Sequence, residues 1–108
     1  MIIGIGCDIV EIDRIKDKQE ELAKRILTQA EYQLYKSYAV KRRLEFLVGR
    51  FAAKEAIFKA CNKTVLISNI EVLQGDSGEP ICNWGDYQIH ISIAHEKHYA
   101  IAYAICEK

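Results

Sequence analysis

Apolar and polar positions recur along this chain with two different periods, and these divide it into strands and helices. Ile2–Ile12 is apolar and rich in β-branched residues, which predicts a strand. Asp13–Leu27 is charged, with apolar residues at Ile15, Leu22 and Ile26, and predicts one or two short surface helices. Thr28-Gln29-Ala30-Glu31 has the pattern of a capping box and predicts a helix reaching about Tyr38. Lys41–Cys61 predicts a long helix. At about 100° per residue, Leu44, Leu47, Val48, Phe51 and Phe58 fall in one stripe of it, with Glu55 in the middle. Arg43, Arg50 and Lys54 fall on a separate polar edge, expected to face solvent. Ile67–Leu73 predicts a strand, and Gly75–Pro80, with two glycines and the only proline, predicts a turn.

Tyr87–Ala94 and Tyr99–Cys106 alternate with period two and predict an antiparallel hairpin turning at His95–His98. One face is expected to carry Ile89, Ile91, Ile93, Ile101, Tyr103 and Ile105. The other would carry His90, Ser92, Ala94, Ala100, Ala102 and Ala104, small enough to admit a closely packed helix. The expected fold class is α+β: an antiparallel sheet packed against one long helix, with short N-terminal helices.

Composition narrows the function classes. A chain of 108 residues, half of them apolar, has the size of one domain spanning 1–108. Fifteen basic and fifteen acidic residues cancel, so bulk charge gives no argument for a nucleic-acid partner. Cys7, Cys61, Cys82 and Cys106 form no CxxC pair and read as reduced thiols of a cytoplasmic protein. No basic leader and no run of 18 apolar residues is present, so an unprocessed soluble chain with no membrane association is expected. Tyr32, Tyr35 and Tyr38 fit helix packing better than base stacking, and His95 and His98 fit a turn.

Glu55 is the first residue that calls for chemistry. A carboxylate among apolar positions needs a cation, a set of donors or a metal. In the first strand Gly4, Gly6 and Asp8 point to the same side, and two glycines there clear space for a close approach. If Asp8 and Glu55 share a site, their charges repel unless a cation lies between them. Two carboxylates completed by water and phosphate oxygens suit Mg²⁺. Lys59, one turn beyond Glu55, suits a phosphate. The plain alternatives are an ordinary Glu55–Lys59 helix pair, an Asp8 that only ends the strand, and glycines that mark a bulge.

Gly6-Cys7-Asp8-Ile9-Val10-Glu11-Ile12-Asp13-Arg14-Ile15 and Phe51-Ala52-Ala53-Lys54-Glu55-Ala56, followed by Lys59, resemble the signature segments of the holo-acyl-carrier-protein synthase family. These are short bacterial 4′-phosphopantetheinyl transferases. The resemblance continues through residues 25–31, 78–80 and 90–95 and covers nearly the whole chain. It implies transfer of 4′-phosphopantetheine from coenzyme A to a serine of an apo acyl carrier protein, with Mg²⁺ as cofactor and release of adenosine 3′,5′-bisphosphate. It implies metal ligation by Asp8 and Glu55, catalytic roles for Asp8, Glu55 and Lys59, and nucleotide contacts from Lys54, Lys59, Ser92 and His95.

The resemblance further implies docking of the acidic carrier on the first helical region, through Arg14, Lys18, Leu22 and Arg25. From the residues alone, the interleaved Asp13, Asp17, Glu20 and Glu21 make that region an ordinary solvated mixed-charge surface. A single-length chain is also expected to form a homotrimer with intersubunit sites, since two-lobed relatives build the same site from two similar halves. One departure stands out: Cys61–Leu66 is short and lacks the glycines that many relatives carry there. The competing functions are another Mg²⁺-dependent nucleotide or pyrophosphate hydrolase, and a non-catalytic nucleotide-binding module.

Overall fold

A computed structural model describes residues 1–108. Strand β1 (Ile2–Glu11) leads into three short helices: α1 (Ile12–Lys16), α2 (Gln19–Ile26) and α3 (Gln29–Ser37). The long helix α4 (Val40–Ala60) follows, then strands β2 (Leu73–Gln74), β3 (Pro80–Trp84), β4 (Tyr87–His95) and β5 (Tyr99–Glu107). The strands form one sheet in the order β1-β5-β4-β3-β2, antiparallel at every pairing. Helix α4 crosses one face of it, over β1 and β5. The α+β architecture expected from the sequence is present.

Small residues let α4 lie unusually close to the sheet. Ala52, Ala53, Ala56 and Ala60 are fully buried, and so are Ala100, Ala102, Ala104 and Cys106 on β5. A Cβ added at Gly6 would lie 1.9 Å from the Ala56 carbonyl oxygen. One added at Gly4 would lie 1.8 Å from that of Ala60. The approach that these glycines permit is therefore that of α4 itself, not of a ligand. A register shift does occur beside them, between Ile2 and Gly4.

Three local expectations need correction. The hairpin faces are out of phase with the predicted assignment. Ile89 opposes Cys106, Ile91 opposes Ala104 and Ile93 opposes Ala102, and directly opposed residues share a face. The helix side therefore carries the β4 isoleucines with the β5 alanines, and the outer side carries His90, Ser92 and Ala94 with Ile101, Tyr103 and Ile105. Alternation within each strand is a sequence property, but the phase between strands is set by the turn. Second, the strand expected over Ile67–Leu73 shrinks to Leu73–Gln74, with a 3₁₀ turn at Ile67–Asn69; Ile70 and Val72 are fully buried by packing instead. Pro80 opens β3 rather than ending a turn, a strand position that needs no proline N–H.

The third correction concerns the polar edge of α4. Lys54 is completely buried and Arg50 is 7% exposed. Lys54 Nζ donates to Glu31 Oε1 at 2.5 Å and to the Ile26 carbonyl at 2.7 Å. Burial pushes the Lys54 pKa down, and the Glu31 carboxylate works against that shift. Glu31 is also the capping-box residue: Thr28 N–H donates to its Oε1 at 2.7 Å, while its own N–H donates to Thr28 Oγ1. The edge is covered because α3 and the Glu71–Val72 segment pack on it, with Arg50 Nε donating to the Val72 carbonyl.

The helix–strand approach gives a stability prediction. Gly6→Ala should cost on the order of 3 kcal/mol or more, since only backbone atoms could yield. Gly78→Ala, at φ +82° but in open space, should cost about 1 kcal/mol. Urea unfolding of both variants measures this, and equal losses would contradict the close approach of α4.

Candidate active site

Asp8 and Glu55 border one cleft of about 370 Å³ between β1, α1, α2 and α4. Asp8 reaches it because it follows Gly4 and Gly6 on the helix-facing side of β1. Glu55 reaches it from α4, beside Phe51. The apolar stripe of the long helix thus splits in two: Leu47 and Val48 are fully buried, whereas Phe51, Phe58 and Glu55 are half-buried along an opening. Glu55 lies at the edge of water, not in the core.

Lys59 completes the charged centre differently from a simple helix pair. Its Nζ lies 3.2 Å from Asp8 Oδ1 and donates to the Cys7 carbonyl at 2.9 Å. The lysine thus spans from α4 to β1. Its side chain remains 45% exposed and that of Asp8 18%, so the pair is open to a ligand and partly screened by water. The Glu55 pKa is raised by burial first and by the Asp8 charge second, with Lys59 acting in the opposite direction. Like charges face each other here, and a cation would relieve them.

The donor set can be tested against Mg²⁺. It consists of hard carboxylate oxygens on two separate elements at the border of one cleft. No group of three His, Cys, Asp or Glu side chains exists that could enclose a metal. That fits an ion held by one or two carboxylates with water and phosphate oxygens, and it does not fit a structural zinc site.

The same cleft contains Arg14, Lys18, Leu22 and Arg25. The residues expected to meet a carrier therefore line the same cleft as Asp8 and Glu55. A second groove of about 390 Å³ continues from it and shares Arg25, Phe51 and Glu55. Apart from Ser68, its other lining is apolar: Ile26, Phe58, Val65, Leu66 and Ile67. The glycine-poor loop enters at this point. Asn62 and Lys63 take left-handed conformations at φ 58° and 61°. Lys63 N–H donates to the Phe58 carbonyl and Asn62 N–H to that of Lys59, so the loop closes α4 as a Schellman motif without glycine.

Three residues expected at the nucleotide do not join this centre. Lys54 is enclosed with Glu31 and has no exposed atom to offer a ligand. Ser92 opposes Tyr103 on the outer face of the sheet, the side away from Asp8. His95 borders a different cleft, with Lys16, Lys41 and Glu45. One lining residue, Phe51, is hidden in the sequence because it falls in the apolar stripe of the long helix. Glu31, which holds Lys54 away from this centre, is legible in the sequence only as a cap, since its second task depends on α3 packing against α4.

Comparison with known proteins gives the family. Residues 4–104 match the 4′-phosphopantetheinyl transferase superfamily. The chain is 46% identical to a holo-[acyl-carrier-protein] synthase of Geobacillus sp. (strain WCH70), over 100% of this chain and 98% of that protein. Identity and coverage are the same for one from Staphylococcus haemolyticus. Among solved structures, a Bacillus anthracis holo-(acyl-carrier-protein) synthase in complex with CoA (3′,5′-ADP) superposes with a TM-score of 0.93. It is 41% identical, covering 100% of this chain and 98% of that one. By its match over residues 4–104, its identity to these relatives along the whole chain and its superposition on their fold, the chain belongs to the 4′-phosphopantetheinyl transferase superfamily, among the holo-[acyl-carrier-protein] synthases.

Proposed function

We infer that this chain moves the 4′-phosphopantetheine group of coenzyme A onto a serine of an apo acyl carrier protein, with Mg²⁺, and releases adenosine 3′,5′-bisphosphate. The observation that carries this reading is a single cleft lined both by the carboxylates Asp8 and Glu55 and by the cations Arg14, Lys18 and Arg25. The carboxylates suit a pyrophosphate with its cation, and the cations suit an acidic protein. The names of the relatives and the coenzyme A complex of the Bacillus anthracis protein support it. Such a reaction belongs in the cytoplasm, where coenzyme A and carriers meet; no helix of this chain is long and apolar enough to cross a membrane.

The chain's residues supply positioning and charge. Asp8 and Glu55 would hold the ion, and the chemistry a bound Mg²⁺ supplies is charge neutralisation on the pyrophosphate oxygens. Lys59, already directed at Asp8, would meet the phosphates there. The serine oxygen of the carrier attacks the phosphorus that bears pantetheine. The bond from that phosphorus to the bridging oxygen breaks, and adenosine bisphosphate leaves with the electron pair. Lys59 offsets the charge growing on the leaving oxygen. The serine proton passes to Glu55 or to a water that Glu55 orders. The nucleophile belongs to the carrier, so the chain needs none of its own.

Mass spectrometry of an apo carrier incubated with this chain, coenzyme A and Mg²⁺ should show a gain of one phosphopantetheine. Adenosine bisphosphate formed without a modified carrier would identify a hydrolase instead. Asp8→Ala and Glu55→Ala should lose on the order of a thousandfold in rate, and Lys59→Ala should lose mainly kcat. Metal-free Glu55→Gln should melt at or above the wild-type temperature at neutral pH. The raised Glu55 pKa means that ionised Glu55 disfavours the fold, so this advantage should vanish as pH falls and the wild-type carboxyl takes up its proton.

Docking is the second part of the proposal. Arg14, with Lys18 and Arg25, meets carboxylates flanking the carrier serine, and Leu22 adds apolar contact. Arg14→Glu should raise KM for the carrier about tenfold or more, leave KM for coenzyme A unchanged and flatten the salt dependence. A carrier KM that stays at the wild-type value across salt concentrations would move the docking surface elsewhere.

Assembly is the third part. The outer sheet face exposes Ile5 (67%), Ile9 (61%) and Tyr103 (53%) around Cys7, an apolar patch in the middle of β1 and β5. Such a patch marks an interface. The chain forms a homotrimer through this face, with sites between subunits. In that arrangement Ser92 and His95, which one chain holds away from its own carboxylates, serve a neighbour's nucleotide. Ile9→Glu should yield monomers in sedimentation velocity and strongly reduced turnover; a trimeric, active Ile9→Glu would place the interface elsewhere.

A further inference from the structure

Lys54 and Glu31 form a charged pair that the transfer chemistry leaves unused. Both side chains are completely buried. Apolar residues of similar volume would serve stability as well or better, because a buried ion pair rarely repays its desolvation. What charges add is direction. Lys54 Nζ bonds the Ile26 carbonyl, one of the orphan carbonyls at the end of α2, and also Glu31 Oε1. Glu31 Oε2 accepts from the Val72 N–H at 2.7 Å. Arg50, one turn earlier on α4, holds the Val72 carbonyl at 2.9 Å.

The placement of this network gives it a function. Ile26 immediately follows Arg25, and Lys54 immediately precedes Glu55. Lys54 grips Ile26 where it is buried, while Arg25 and Glu55 border the same opening. Apart from this grip, α2 rests on α4 through Leu22, Ala23 and Ile26 against Phe46 and Leu47, and its side-chain hydrogen bonds, from Gln19 to Tyr35 and from Tyr32 and Tyr35 to Glu20, go to α3 instead. Such apolar contacts are non-directional and tolerate small slides. We propose that the Glu31–Lys54 pair is a positioning device that fixes α2 against α4, and so sets Arg25 at a constant distance from Glu55 across the cleft. It determines where the carrier serine arrives relative to the phosphorus. A misplacement of about 1 Å between nucleophile and reacting centre can cost a hundredfold in rate. Asp8 and Lys59 lie on β1 and the far end of α4, outside this network, so coenzyme A binding should not depend on it.

The proposal rests on the carrier-docking reading, and the test separates the two. The variant Glu31→Gln/Lys54→Met removes both charges and strands neither. Its kcat/KM for the carrier should fall about tenfold or more, with KM for coenzyme A within about twofold of wild type. Arg25→Ala is then measured in both backgrounds as a double-mutant cycle. It should raise carrier KM about tenfold in the wild type and about twofold or less in the double variant, because Arg25 there is already misplaced. Equal effects in both backgrounds would overturn the positioning role and leave a network that only stabilises. A wild-type carrier KM for Arg25→Ala alone would overturn the docking reading, and the coupling with it. If the double variant does not fold, Glu31→Gln alone is followed by amide hydrogen exchange. Faster exchange over Gln19–Leu27 with unchanged protection over Val40–Ala60 is the expected result. Equal acceleration of both segments would overturn the proposal.

Discussion

Helix α4 rests on β1 almost backbone to backbone, and the active centre depends on that contact. Gly4 and Gly6 leave no side chain between the strand and the Ala56 and Ala60 carbonyls. Alanines on α4 and β5 extend the same close fit across the sheet. At this distance Lys59 reaches both Asp8 and the Cys7 carbonyl. A thicker layer of side chains would lift α4 and withdraw the lysine from the strand. The packing of the core and the geometry of the charged centre are one constraint, and the glycines serve function by serving packing.

The same helix carries two lysines whose environments assign them opposite tasks. Lys54 lies in a dry site where every bond is directed and the Glu31 carboxylate supports its charge. Low dielectric makes such a pair stiff, and costly to break from one side. Lys59 lies in a wet site, paired with an Asp8 that remains reachable by solvent. Water screens that pair and lets a phosphate compete for it. The five-residue offset between them turns one lysine toward α2 and α3 and the other toward β1. Glu55, between them in sequence, faces the cleft.

These contrasts explain what could be read from the sequence and what could not. Asp8 and Glu55 were legible because acidic residues among β-branched and apolar neighbours violate a local pattern. Thr28 and Glu31 were legible as a cap because the capping box is a local motif, and it forms as written. Lys54 was misread because a helical wheel shows which residues share an edge but not what packs on that edge. The hairpin faces were misassigned because alternation is local whereas the phase between β4 and β5 is set by how the turn closes. The strand expected over Ile67–Leu73 reduces to Leu73–Gln74 because Ile70 and Val72 are buried by contact with neighbouring elements rather than by a strand ladder. Each miss is a case in which tertiary contact decided what sequence periodicity left open.

Strand β1 shows how much a single register carries. Its even positions, Gly4, Gly6, Asp8 and Val10, face α4 and the cleft. Its odd positions, Ile5, Cys7 and Ile9, face outward beside Ile105, Tyr103 and Ile101. Helix packing and the Asp8 carboxylate therefore share one face, and the surface proposed for assembly occupies the other. A slip of one residue would exchange them all, placing isoleucine against the Ala56 carbonyl and Asp8 on the outer face. The irregularity between Ile2 and Gly4 lies at the strand's start, before the first of these positions, so the alternation from Gly4 to Val10 runs unbroken. The register is held at both ends: Met1 and Lys108 pair their backbones at one, and Ile12 N–H bonds the His98 carbonyl at the other. The cleft-lining Asp8 and an exposed apolar face can share ten residues of chain only because the pleat keeps them apart by direction rather than by distance.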